Sequence, residues 1–320
     1  MTNARGSSPV ARPTWYVPGN PDRPRFAKMA VVLPLPLFRA VRLAAVLLAA
    51  LLAVAVPAQA QFGATNASRV AALQLPKIER DGLVLSYSPA AKDEAEFYAT
   101  EAAAAVAWYH RTLPWKGSIA MAVLDPAGFR LATSIAYPSP HAETLTGFVI
   151  IADHVTSHPG FELWDIDERS INAAWLFHEM GHVIAHQLGI GSSNLWVNEL
   201  IASVIMAGYV RAERPQFAGF QSGMPPRFAN ANHFSTLEEF DTLYFNMGQL
   251  DYLWFHFHIA RIADYLVSGP DGLATVLVAL RREFPELPQR QPETVAQTLE
   301  RLERVRPGVG ALAAGLMGLP

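Results

Sequence analysis

Hydrophobic and polar positions in the first half of the chain follow two different periods. Residues 82–88 alternate between apolar and polar side chains, which predicts a half-buried strand, and the apolar runs 117–125 and 146–153 predict two more strands. After the first strand, an alanine-rich segment from Asp93 carries acidic residues in its first turn and basic residues in its last, as the helix dipole favours. We therefore expect a small mixed sheet with a helix packed on it.

The second half of the chain has the apolar spacing of helices. This spacing predicts one helix over residues 170–188, ended by Gly189 in the left-handed conformation, and a second helix over residues 195–211. A longer helical stretch covers residues 235–284 and is broken by a Gly-Pro pair. The order of the elements, strands first and helices afterwards, is typical of an α+β fold.

The end of the chain combines two patterns. Residues 293–305 predict an amphipathic helix, and the Ala/Gly/Leu tail after them is expected to pack only loosely. We expect residues 61–320 to form a single functional domain, with a strand-containing half over 61–169 and a mainly helical half over 170–320.

The N-terminal residues have a pattern of their own. Two arginines precede an uncharged apolar run, 43–56, followed by a small-residue sequence that closes at Ala60. The run has 14 residues, fewer than the roughly 20 that span a bilayer, but typical of a secretory signal. We expect 29–60 to be a signal peptide and the mature chain to be exported to the periplasm or secreted; the alternative is an uncleaved membrane anchor. Residues 1–28 are interpreted as a disordered extension or as residues upstream of a true start at Met29.

Composition and charge narrow the classes of function. The chain has 320 residues, 51% of them hydrophobic, and its 25 basic and 28 acidic residues are mixed along the sequence. This balance offers no broad basic surface, so we expect no nucleic-acid partner. Because the sequence contains no cysteine, thiolate nucleophiles, iron–sulfur clusters and cysteine zinc sites are excluded. Any metal ion must be held by His, Asp and Glu.

The first helix of the second half carries the sequence His-Glu-Met-Gly-His at positions 178–182. Each helical residue turns the side chain by about 100°, so His178 and His182 lie about 40° apart on one face and one turn apart along it. Two such imidazoles can bind one zinc ion at about 2.0 to 2.1 Å. Glu179 is rotated about 100° from His178, which suits a base acting on water better than a ligand. His186 lies about 6 Å beyond His182 along the axis, too far to join the same ion.

A catalytic zinc site needs a third protein ligand and one open position. Glu199 lies in the following helix between apolar neighbours, where an unpaired carboxylate would be costly to bury. A short turn between the two helices lets them run antiparallel, which would bring Glu199 back to both histidines. We predict that His178, His182 and Glu199 hold one zinc ion.

The sequences HEMGH, 178–182, and WVNELIAS, 196–203, resemble the gluzincin zinc metallopeptidases, thermolysin-like and aminopeptidase-like enzymes with a Glu ligand on the next helix. Residues 146–153 are similar to the strand that borders the cleft in that group. Residues 235–266 are similar to the helices after the third ligand in its bacterial peptidase-MA-like branch. The resemblance implies a zincin-like fold and hydrolysis of a peptide or protein substrate. The metzincin pattern does not fit, because it requires Gly at Ala185 and His at Leu188.

One position departs from the gluzincin pattern. The group's second motif often continues with an acidic residue that orients a ligand histidine, and Ser203 stands there in this chain. We expect an exported zinc metallopeptidase in which Glu179 takes a proton from a zinc-activated water. The departure at Ser203 motivates the alternative, a non-catalytic zinc-binding or scaffold protein that keeps the same fold.

Further polar side chains are candidates for the cleft. We assign the stabilisation of a transition-state oxyanion to Tyr252, with Tyr244 and His233 as alternatives. His256 and His258 are two residues apart and point to different sides of a helix, so we interpret that stretch as core packing. Candidates that precede the metal-binding helix are Asp153, His154 and His158.

Overall fold

The computed structural model describes residues 65–133, 140–153, 168–217, 237–244, 249–269, 272–286 and 293–317. The expected extension and signal peptide, residues 1–60, lie outside these ranges, as do His154, His158, His233 and Pro270. The described residues belong to a unit that begins at Phe62.

A five-stranded mixed sheet forms in the first half of the chain. Its strands are β1 Lys77–Arg80, β2 Leu83–Tyr87, β3 Ile119–Leu124, β4 His141–Glu143 and β5 Phe148–Ala152. They lie in the order β1-β2-β3-β5-β4. Strands β2, β3 and β5 run parallel, whereas β1 and β4 are antiparallel edge strands. The three predicted strands are therefore confirmed as the parallel centre of the sheet.

Ten α-helices are present in the described part of the chain. They are α1 Asn66–Ala72, α2 Lys92–Thr112, α3 Pro126–Ala132, α4 Glu168–Gln187, α5 Leu195–Glu213, α6 Leu237–Leu243, α7 Gln249–Val267, α8 Gly272–Glu283, α9 Val295–Val305 and α10 Val309–Met317. The prediction of an α+β fold is confirmed. The helical stretch expected over 235–284 is divided into α6, α7 and α8.

The two faces of the sheet differ in what covers them. Helices α2 and α4 lie on the face that belongs to the main core, and α5 packs behind α4 against α7. The opposite face carries a small cluster under α1 and α3, including Phe129 and Phe148. Helix α5 is long and apolar enough to cross a bilayer, but 72% of that window is buried inside the fold, as in a core helix. The main core therefore extends from one face of the sheet and α2, through α4 and α5, to α7 and α8.

The expectation of a loosely packed tail was wrong for its described residues, 309–317. The tail forms α10, in which Val309 and Ala313 are fully buried against neighbouring helices. Gly308, with φ of 89°, makes the turn into this helix, and its N–H donates to the Glu303 carboxylate. Helix α10 is apolar on most sides, so its sequence lacks the alternation by which a packed surface helix is recognised.

Candidate metal centre

Helices α4 and α5 approach each other closely at a glycine. A Cβ atom on Gly181 would lie 2.5 Å from the carbonyl oxygen of Ala202 and 3.0 Å from its Cα. Real side chains do not tolerate such a contact, so the missing side chain of Gly181 permits this separation. Gly181 stands directly before His182, and the close approach therefore occurs at the level of the predicted ligands.

The connection between the two helices is fixed by hydrogen bonds. Gly189 ends α4 with φ of 67°, which confirms the predicted left-handed residue. The Asn198 side chain accepts a hydrogen bond from the Ser192 N–H at 2.8 Å and donates one to the Ser192 carbonyl at 2.9 Å. Because Asn198 precedes Glu199, this pair of bonds ties the turn to the start of the ligand helix.

The three predicted ligands come together. The Nε2 atom of His178 lies 3.0 Å from Oε2 of Glu199 and 3.2 Å from Nε2 of His182, and His182 Nε2 lies 3.6 Å from Glu199 Oε1. Donors about 2.0 to 2.1 Å from a tetrahedral ion stand about 3.3 Å apart, which matches the separations of His178 Nε2 from Glu199 Oε2 and from His182 Nε2. The group is buried or nearly so and could hold a metal ion.

Burial and mutual charge set the protonation of this group. Burial alone would raise the pKa of Glu199, but the charge of His182 and the hydrogen bond with His178 hold that pKa well below its usual range. Burial lowers the pKa of His178, whereas Glu199 raises the pKa of His182 against the effect of burial. Metal binding requires an ionised Glu199 and two neutral imidazoles, so a bound ion would displace the proton that Glu199 favours on His182.

Glu179 occupies a separate position beside the sheet. Its side chain is buried, with 7% of the residue exposed, and it is not part of the His178, His182 and Glu199 group. Burial raises the pKa of Glu179 to about 8, His182 lowers it, and a hydrogen bond from the Ala142 backbone N–H on strand β4 also lowers it. The carboxyl group is therefore poised to exchange a proton near neutral pH.

Ser203 and His186 are the two other polar residues of α4 and α5 for which the sequence predicted a place. The Ser203 hydroxyl lies 3.3 Å from Nδ1 of His178, so the serine contacts the ring nitrogen opposite the ligand atom. His186 Nδ1 pairs with Glu286 Oε1 at 2.7 Å, outside the metal group, as its distance along the helix predicted.

Helix α7 and the residue that follows α6 add tyrosine side chains to the site, and both tyrosines were predicted candidates. The Tyr244 hydroxyl donates to Oε1 of Glu199 at 2.8 Å, and Tyr252 donates its hydroxyl to Tyr244. Burial raises the pKa values of both tyrosines, so both keep their protons. The predicted candidates Tyr244 and Tyr252 thus lie at the site, whereas Asp153 is buried at the end of β5 and is outside the ligand group.

His256, which was interpreted together with its neighbours as core packing, packs against Trp175 and Tyr252 and also lies beside the metal group. His256 Nε2 lies 3.4 Å from Glu199 Oε2, and within the described part of the chain it has no hydrogen-bond partner. Burial lowers the pKa of His256 to about 3, which keeps its ring neutral. His258 points elsewhere and packs on Trp254 with ring centroids 4.2 Å apart. Tyr252 and His256 are four residues apart, and this one-turn spacing is the signal that could have revealed them.

Comparison with protein-family models, with curated proteins and with solved structures gives no match for this chain. The function must therefore be argued from the site itself. The site combines three ligand-type side chains, a separate buried carboxyl group and three ring side chains from α7 and the residue that follows α6.

Proposed function

We propose that this protein is an exported, zinc-dependent metallopeptidase that hydrolyses peptide bonds. The observation that carries the proposal is the convergence of His178, His182 and Glu199, in which His178 Nε2 lies 3.0 Å from Glu199 Oε2 and 3.2 Å from His182 Nε2, beside the separate carboxyl group of Glu179. The resemblance of 178–182 and 196–203 to gluzincins supports the same function.

The donor set fits zinc and leaves room for chemistry. Two imidazoles and one carboxylate are a common set of three protein ligands for catalytic zinc. When bound there, zinc would lower the pKa of a water toward 7 and polarise a carbonyl group. His178, His182 and Glu199 would hold the ion, and Ser203 would orient the His178 ring through Nδ1.

Glu179 serves as the base in this proposal. A neighbouring cation favours the carboxylate form, so a metal ion would bring its pKa down from about 8. Glu179 then accepts a proton from the attacking water and passes it to the leaving amine. The Ala142 N–H holds the carboxyl group against strand β4, and this edge strand is a suitable place for an extended peptide.

His256 is the side chain best suited to stabilise an oxyanion. Its ring is neutral and carries one N–H, and among the described residues its Nε2 has no hydrogen-bond partner. Tyr252, the sequence-based assignment, donates its single proton to Tyr244. We therefore propose His256 ahead of Tyr252 as the donor to the developing charge.

The alternative is a non-catalytic zinc-binding or scaffold protein, favoured by the serine at position 203. Export rests on the pattern of residues 29–60 in either case. Both proteins would bind zinc, so metal content does not separate them.

The deciding experiment is cleavage of a peptide library by the mature chain, with and without chelator, beside the Glu179→Gln variant. We expect chelator-sensitive cleavage that is lost in Glu179→Gln while zinc is retained, because glutamine cannot accept the proton. Full activity of Glu179→Gln would refute the role of Glu179. Zinc binding without any cleavage would favour the scaffold.

A further inference from the structure

The two carboxylate oxygens of Glu199 have different surroundings. Oε2 faces His178 at 3.0 Å and His256 at 3.4 Å. Oε1 accepts a hydrogen bond from the Tyr244 hydroxyl at 2.8 Å and lies farther, 3.6 Å, from His182. The tyrosine thus distinguishes one oxygen from the other.

We propose that Tyr244 is a positioning residue that engages Oε1 of Glu199, so that only Oε2 is presented to the metal ion. A carboxylate can bind a metal ion through one oxygen or through both. Binding through a single oxygen leaves a tetrahedral ion with one open position. The inference rests on the proposed function only in requiring a metal ion at this site.

The direction of the hydrogen bonds assigns this role to Tyr244. A phenol has a single proton to donate, and its oxygen can also accept. Tyr252 donates to the Tyr244 oxygen, and the proton of Tyr244 is directed to Glu199. The relay from Tyr252 through Tyr244 to Glu199 uses both hydroxyl protons, so the Tyr244 proton is committed to the ligand carboxylate and not to a substrate.

Neighbouring aromatic rings and a hydrogen bond of α6 hold the Tyr244 ring in place. Tyr244 directly follows α6, and its ring packs edge-on against Phe240 and Tyr252 with centroids 5.5 and 5.9 Å away. Helix α6 is fastened to the first turn of α5, where the Trp196 N–H donates to the Asp241 carboxylate at 3.0 Å. Because Trp196 lies three residues before Glu199, the hydroxyl and the carboxylate are tied to the same helix.

The test measures zinc affinity of Tyr244→Phe by competition with a chromogenic chelator, together with the absorption spectrum of the cobalt-substituted protein. Phenylalanine keeps the ring that packs on Phe240, and the melting temperature checks the fold. We expect zinc to bind about 10- to 100-fold more weakly, the effect usual for partners of a ligand, and the cobalt spectrum to shift toward higher coordination. Tyr252→Phe is the matched control and should cause a smaller loss, because the bond from Tyr244 to Glu199 remains.

The outcomes separate this inference from the proposed function. Wild-type zinc affinity in Tyr244→Phe, whether or not kcat falls, would overturn the positioning role; a fall in kcat alone would place Tyr244 on the substrate. The wild-type protein could bind zinc, lose it on Tyr244→Phe and still cleave no peptide. That result would support the inference and contradict the peptidase proposal.

Discussion

Two pairs of helices build the same site by different means. Helices α4 and α5 supply the ligand group and Glu179, whose positions follow from the period of one helix and a short, hydrogen-bonded turn. Helix α7 supplies Tyr252 and His256, and Tyr244 directly follows α6; these side chains surround Glu199 because α7 packs across α5. Local geometry therefore sets the ligands, and tertiary packing sets the groups that surround them.

Substitutions in the two groups of side chains should therefore differ in whether they reduce metal binding or activity. The three ligands of the first pair should control whether the metal ion binds at all. Glu179 and His256 should control how well a bound ion works, and Tyr244 should control how tightly the ion is held. Three substitutions and one pH titration test these assignments, beginning with loss of the metal ion.

Glu199→Ala should abolish zinc binding, because it removes one of three ligands and leaves two histidines that cannot hold the ion alone. Zinc content after gel filtration is the measurement. Glu286→Ala is the matched control: it also breaks a pair between a glutamate and a histidine, His186, at 2.7 Å, but outside the metal group. Retention of stoichiometric zinc by Glu199→Ala would refute the ligand assignment.

His256→Leu should lower kcat about 10²- to 10³-fold with zinc content unchanged, as expected for loss of a donor to a developing charge. His258→Leu, two residues along the same helix, should leave kcat near the wild-type value because that ring packs on Trp254. Steady-state kinetics on one cleaved peptide compare the two variants. Equal losses would show that both histidines only pack.

The ligands and His256 differ in how far the sequence alone could predict them. The ligand group was predictable because helical period and a buried carboxylate are local features, and the three central strands were predictable from apolar runs. Strand β4 has three half-buried residues and no alternation, so nothing in its sequence marks it as an edge strand. His256 was missed because the spacing between His256 and His258 does not tell which side of α7 meets α5, although its one-turn spacing from Tyr252 would have placed it on the same face as that candidate.

Gly181→Ala tests the contact that brings the two ligand helices together. The added Cβ would lie 2.5 Å from the Ala202 carbonyl oxygen, and separating the helices should destabilise the protein by about 1 to 3 kcal/mol and weaken zinc binding. Gly315→Ala is the matched control, since nothing lies within 4 Å of a Cβ at that helical position. Chemical denaturation gives both free energies. A Gly181→Ala protein as stable as Gly315→Ala would contradict the close approach.

The pH dependence of stability in chelator isolates Glu179 from the ligands. Burial raises the pKa of Glu179 from 4.5 to about 8, so the folded protein retains a proton that the unfolded chain releases. The stabilisation from this group is complete below pH 4.5 and is lost progressively as the pH rises to about 8. Relative to Glu179→Gln, the wild-type free energy of unfolding should fall by about 1.4 kcal/mol per pH unit within that window and level off above it. Zinc should flatten the slope, because a cation beside Glu179 favours the ionised form; a difference that stays constant with pH in chelator would show that Glu179 titrates normally.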